Sequence, residues 1–170
     1  SALTNKMTTS ANKISVPSRT GYTFGGYYSS TGGSGTQYIT SSGYLSAAWS
    51  TAWSKNSTIY AKWTPKTYTV KYYTSPTTTT TTTVTYDNVV NIPGISKDFY
   101  QFNGYSISGC DSCTHYYGTT SSANSGNTTN TSFTVSAGYY YFKNLRSSSG
   151  TVTITPRWVA NTYTVTYNAN

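Results

Sequence analysis

Tyr60-Ala61-Lys62-Trp63-Thr64-Pro65-Lys66-Thr67-Tyr68-Thr69-Val70-Lys71-Tyr72 returns as Thr155-Pro156-Arg157-Trp158-Val159-Ala160-Asn161-Thr162-Tyr163-Thr164-Val165-Thr166-Tyr167, at a constant offset of 95 residues. Both stretches alternate, and alternation is the period of a strand. Ile59, Ala61 and Trp63 share one face, as do Ile154, Pro156 and Trp158 in the copy. Tyr68, Val70 and Tyr72 share a face, as do Tyr163, Val165 and Tyr167, while Thr69, Lys71, Thr164 and Thr166 point away. Such strands pack on one side and stay wet on the other. Trp63 and Trp158 are expected in equivalent core positions. Pro156, which has no N–H, belongs at a sheet edge or a bulge.

A fixed period marks a tandem array. Once insertions are allowed, Ile14-Ser15-Val16-Pro17 answers Val90-Asn91-Ile92-Pro93, and Gly21-Tyr22-Thr23-Phe24 answers Gly104-Tyr105-Ser106-Ile107. If each copy opens with the Tyr-Thr-Val strand, residues 1–66 are a first repeat lacking its opening strand. Residues 67–160 are then a second, enlarged and divergent repeat, and 161–170 the opening strand of a following one. This phase predicts a longer parent protein. It also predicts that residues 163–167 join a neighbouring sheet, because a lone strand cannot satisfy its own backbone groups.

Composition points to an all-β or β-rich α+β fold. Glu is absent, Thr and Ser make up over a third of the chain, and there are 19 tyrosines, residues suited to pleated, half-solvated surfaces. The threonine run at 77–83 lies at hairpin distance from Tyr72-Tyr73 and predicts a β-hairpin, polar on both faces. Gly25 and Gly26 predict a bulge that re-aims Tyr27 and Tyr28. Residues 45–53, with Trp49, Ala52 and Trp53 at helical spacing, are the one candidate helix.

The net charge of +8 sets eleven Lys and Arg against three acids, Asp87, Asp98 and Asp111. The cations are scattered, with no run or stripe, which argues against nucleic acid. Diffuse positive charge suits weak attraction to anionic glycans or wall polymers. No stretch has the length and apolarity of a membrane span, and export signals and anchors are expected outside this stretch. The C-x-x-C pair Cys110 and Cys113, with His115 two residues on, reads as a local disulfide or as free thiols. A zinc site needs four ligands, and the chain has one His and no further Cys. No metal, nucleotide or organic cofactor is expected. Catalysis is not expected either: the three Asp fall in turn-rich stretches with no recognisable motif, and no G-x-S-x-G elbow is present.

Val16-Pro17-Ser18-Arg19-Thr20-Gly21-Tyr22-Thr23-Phe24-Gly25-Gly26-Tyr27-Tyr28, followed by Thr58-Ile59-Tyr60-Ala61-Lys62-Trp63 and Tyr68-Thr69-Val70, resembles the Listeria/Bacteroides-type surface repeat, also called the internalin B-repeat. The resemblance covers about 75 residues of the first copy and is loose beyond them. It implies two tandem β-grasp-like lobes of a bacterial cell-surface or extracellular protein, with neighbouring copies as partners and no catalytic residues. It places Tyr22, Phe24 and Trp63 as packing aromatics and Gly21 and Gly26 at turn or bulge positions. The function expected is a stalk, adhesin shaft or filament joined through Tyr163, Thr164, Val165, Thr166 and Tyr167. The alternative is a carbohydrate-binding module on which sugars stack against Tyr27, Tyr28, Tyr116 and Tyr117.

Overall fold

The computed structural model describes residues 13–46 and 58–169. The chain divides into two compact units, Ser1–Pro65 and Lys66–Asn170. The architecture is all-β: among the described residues there is no α-helix, only a one-turn 3-10 segment, Thr31–Gly33. Residues 47–53 of the candidate helix lie outside the described residues; Leu45, at its start, forms a bridge with Ile39 instead.

The first unit is a three-stranded antiparallel sheet of β1 (Tyr22–Ser30), β2 (Ser34–Ile39) and β3 (Tyr60–Pro65), in the order β2-β1-β3. Its buried cluster is Tyr38, Ile39 and Leu45, with Ile14, Tyr27 and Ile59 packed at its margin. Phe24 is also buried, against the Tyr27 and Trp63 rings at 5.1 and 5.4 Å.

The second unit is a two-sheet sandwich. One sheet has five strands, β10 (Ser132–Val135), β7 (Tyr100–Ser108), β12 (Thr151–Ala160), β4 (Thr67–Tyr73) and β5 (Thr79–Thr85), in that spatial order. The other has β6 (Val89–Asn91), β11 (Tyr141–Lys143), β8 (His115–Gly118) and β9 (Gly126–Thr128). A single core joins them: Tyr68, Val70, Tyr105, Ile107, Val152 and Ile154 from the first sheet, with Val90 and Phe142 from the second. A helix laid on the sheet, as a β-grasp outline would have it, is not seen in this unit; the four-stranded sheet covers that face.

The threonine run forms the expected hairpin as β5, paired with β4 over seven consecutive positions from Thr67↔Thr85 to Tyr73↔Thr79. Its arms are not polar on both faces. Tyr68, Val70 and Val84 are buried, and that apolar side fixes the register.

The same three-stranded sheet pattern occurs separately in each unit. In the first, Phe24 lies opposite Trp63 and Tyr27 opposite Ala61, so β1 carries one extra residue, a bulge. In the second, Phe102 lies opposite Trp158 and Tyr105 opposite Pro156, with the extra residue on β7. Tyr27 also pairs with Ile39 of β2, and Tyr105 with Val135 of β10. Phe24-Gly25-Gly26-Tyr27 is therefore the structural counterpart of Phe102-Asn103-Gly104-Tyr105, and β2-β1-β3 that of β10-β7-β12.

This corrects the sequence alignment that set Gly104-Tyr105 against Gly21-Tyr22. The bulge decides it, because its glycine is positive in φ in both copies (Gly26 109°, Gly104 78°). A Cβ there would also come within 2.3 Å of Ile39 O or 1.9 Å of Val135 O, the same neighbour in each sheet. The turn entering the strand repeats too. Tyr22 N–H donates to Arg19 O (3.0 Å) and Tyr100 N–H to Lys97 O (3.1 Å). The Arg19 and Lys97 cations sit 3.8 and 3.9 Å from the Tyr22 and Tyr100 ring centres, a favourable electrostatic contact with the ring face. Gly21 (φ 76°) finds its counterpart in Phe99 (φ 66°).

Trp63 and Trp158 are equivalent, as expected, but they flank the cores. Each is half-buried and leans on its partner phenylalanine, Trp158 lying 5.7 Å from Phe102. Both sit across the bulge from Ala61 and Pro156. Pro156 stands beside the bulge, two residues past Ile154, where the β4–β12 pairing stops.

Candidate functional site

The best-formed polar site is in the second unit, where Asp111, Cys113 and His115 bring one carboxylate oxygen, the thiol and a ring nitrogen within 4.8 Å of one another. His115 is fully buried on β8, stacked on Phe133 at 6.0 Å. Its Nδ1 donates to Asn144 O (2.9 Å), and the Cys113 thiol donates to the same carbonyl (3.2 Å). Asp111 Oδ2 accepts from Ser147 N–H (2.7 Å), Ser147 Oγ (2.9 Å) and Ser148 Oγ (3.2 Å), and Oδ1 accepts from Cys113 N–H (3.2 Å). Asn144 in turn bonds the Asp87 backbone and carboxylate at 2.7 and 2.9 Å.

The chemistry of this cluster is that of a tether. Burial works to raise the Asp111 carboxyl, but the hydrogen bonds from Cys113 and Ser147 outweigh it and hold the group well below the usual carboxylate range. Burial, reinforced by Asp111, pushes the Cys113 thiol up to about 12, and burial with the Asp111 charge does the same to Cys110. A thiolate is the form that attacks or binds metal, and both sulfurs are held protonated at neutral pH. Asp111 as acceptor and His115 Nδ1 as donor are committed to the connection after β11, and Asn144 ties that connection to Asp87 in the one after β5. His115 Nε2 is buried without a hydrogen-bond partner.

Cys110 and Cys113 are free thiols in the structure, with no bridge between them. Their surroundings differ: Cys110 packs into the core cluster, while Cys113 turns to Asn144 and Asp111. Of the four tyrosines proposed as a glycan platform, Tyr27 packs on Phe24, and Tyr117 stacks on Phe133 (5.8 Å) and meets Tyr139 edge-on (5.7 Å). Tyr28 is overlaid by Lys62 at 5.4 Å and Tyr116 by Lys143 at 5.2 Å. With few carboxylates in the chain, tyrosine faces serve as partners for its cations.

The second site is a matched pair of backbone edges. In the second unit, β4 lies parallel to β12, with Thr69↔Thr151, Val70↔Val152, Lys71↔Thr153 and Tyr72↔Ile154, and Thr69 N–H donates to Gly150 O (2.9 Å). The counterpart of β12 in the first unit is β3 with the residues leading into it, and among the described residues no strand pairs with the edge of β3 opposite β1. The copy of β4 at 163–167 is unpaired and outside any strand: Tyr163 and Val165 are each 71% exposed and Tyr167 88%. It leaves the sheet just after Asn161, whose N–H donates to Phe99 O (2.9 Å).

Burial differs between the units at positions next to that edge. Ile154 is fully buried and Tyr105 is 1% exposed, whereas their counterparts Ile59 and Tyr27 are only half-buried. Pro156 is buried and its counterpart Ala61 is half-buried. At the far end of the same face the order reverses, with Phe24 buried and Phe102 half-buried. Among the described positions compared, the shortfall in the first unit lies toward the end where β4 sits in the second.

No protein-family model, curated protein or solved structure matches this chain. The described helices include none long and apolar enough to cross a membrane.

Proposed function

We propose that this chain is a non-enzymatic structural repeat of a bacterial cell-surface or extracellular protein, building a stalk, adhesin shaft or filament by head-to-tail strand pairing. One observation carries the reading: the same strand motif occurs seated, as β4 beside β12, and exposed, at 163–167. An exposed segment with the alternating pattern of a strand has backbone groups free to pair with the sheet edge of another chain. The non-enzymatic part is supported by the polar cluster, whose thiols are held protonated and whose carboxylate is saturated by donors. The surface location is supported by the resemblance of the first copy to surface repeats. The joint is heterologous, so successive copies form an open fibre unless the rotation closes a ring.

The test is electron microscopy and sedimentation of the chain with and without residues 161–170. Fibres or rings that grow with concentration and vanish in the shortened chain are expected. A chain that stays monomeric at all concentrations, or a shortened chain that assembles equally well, contradicts the reading. Glycan binding has no comparable observation behind it, since Tyr27 and Tyr117 use their faces for packing.

A further inference from the structure

Resting on that reading, we infer that the segment at 163–167 adds as a strand to the outer edge of β3 and of the residues leading into it in a second copy, parallel to them, with Thr166 beside Thr58 and Tyr167 beside Ile59. The second unit supplies the template. Moving β4 forward by the repeat offset of 95 residues and β12 back by the same amount turns Lys71↔Thr153 into Thr166↔Thr58, and Tyr72↔Ile154 into Tyr167↔Ile59. In a parallel ladder alternate residues bond to each neighbour. The Thr69 bond to Gly150 puts the even residues of β12, through Ile154, on the β4 side. The matching residues are Ile59, which leads into β3, and Ala61 and Trp63 within it, whose backbone groups face the edge that lacks a strand among the described residues.

Three features select this occupant. Tyr163, Val165 and Tyr167 present the face by which Tyr68, Val70 and Tyr72 enter the core of the second unit, and they are exposed. The half-buried Ile59 and Tyr27 lie where that face would land. Residues 1–12 hold no alternating aromatic and β-branched stretch that could fill the place instead. The joint also reaches further than its template. Pro156 has no N–H and ends the β4–β12 ladder after Ile154, whereas Ala61 in its place has one, which allows Asn168 to come beside Tyr60.

Mixed chains carrying single cysteine substitutions read both register and direction. Thr58→Cys mixed with Thr166→Cys, and Tyr60→Cys mixed with Asn168→Cys, are expected to give disulfide-linked dimers under mild oxidation. Peptide mass mapping assigns the bridge and separates it from Cys110 and Cys113. Linkage of Tyr60→Cys to Thr164→Cys in place of Asn168→Cys would mean an antiparallel joint and overturn the inference while leaving strand pairing intact. Assembled fibres that give no cross-link to Thr58→Cys or to Tyr60→Cys overturn it as well, placing the joint elsewhere. A chain that never assembles removes the functional reading and this inference together.

Discussion

The two units carry one sheet in two states of completion. In the second, β10-β7-β12 is extended by β4 and β5 and covered by a second sheet, and Tyr105, Ile107, Val152 and Ile154 lose nearly all contact with water. In the first, β2-β1-β3 stands with a small cluster around Ile39, and Ile59 and Tyr27 stay half-buried. The bulge, its glycine and the cation over the entering tyrosine are common to both. The difference lies in what is laid beside the last strand, so the sheet is a motif that is stabilised from its edge.

The sharpest way to break this comparison is to cut the same isoleucine in each unit. Ile154→Ala should cost about 2–5 kcal/mol, the range for emptying a packed core site, measured by denaturant unfolding. Ile59→Ala should cost clearly less in the unassembled chain. Equal costs would mean that the first unit is already complete.

The bulge is the next test. Gly26→Ala and Gly104→Ala each drive a Cβ into a backbone carbonyl, Ile39 O or Val135 O, at a φ that favours glycine. Each should cost roughly 1–3 kcal/mol or more, with changed chemical shifts on both sides of its bulge. A neutral Gly104→Ala would undo the matching of Tyr105 with Tyr27.

Acid separates the units. The three carboxylate side chains, Asp87, Asp98 and Asp111, all lie in the second. The folded-state pKa of Asp111 is depressed, so its contribution is fully present above the unfolded value of about 3.9 and is lost as pH falls below that toward the folded value. Unfolding followed by residue-resolved NMR should show the second unit losing stability from about pH 4 downward, and Asp111→Asn should flatten that slope. A first unit that responds first would contradict this.

The smallest effect is at the strand entry. Phe99 is 73% exposed and holds φ 66° where the first unit has Gly21. Phe99→Gly should therefore stabilise by about 1 kcal/mol through relief of the left-handed conformation, read as a raised unfolding midpoint.

The all-β class, the alternating faces of Tyr68, Val70 and Tyr72 and the bulge at Gly25-Gly26 were legible because each is local in the chain. The second bulge was not. Phe99 replaces the turn glycine, so Gly104-Tyr105 looked like the turn, and the offset there is 78 residues (27 to 105) rather than 95. The strands β8 and β9 stand between β7 and β10, where the first unit has only the turn Thr31–Gly33 between β1 and β2. Repeat phase predicted a strand at 163–167 awaiting a neighbour; the structure shows that segment exposed and outside any strand. The polar cluster could not, since Asp111 meets Ser147 and Asn144 meets Asp87 across 36 and 57 residues, contacts that only the sandwich creates.

The central claim is that the open edge of β3 and the strand at 163–167 are two halves of one joint. Amide hydrogen exchange of the assembled chain, compared with a chain ending at Ala160, tests it at single residues. If the joint copies β4 on β12, the Ile59 amide is protected only when residues 161–170 are present, and the Thr164 and Thr166 amides are protected in the assembly. Protection of Ile59 in the shortened chain, or free exchange of Thr164 and Thr166 within intact assemblies, would contradict the account.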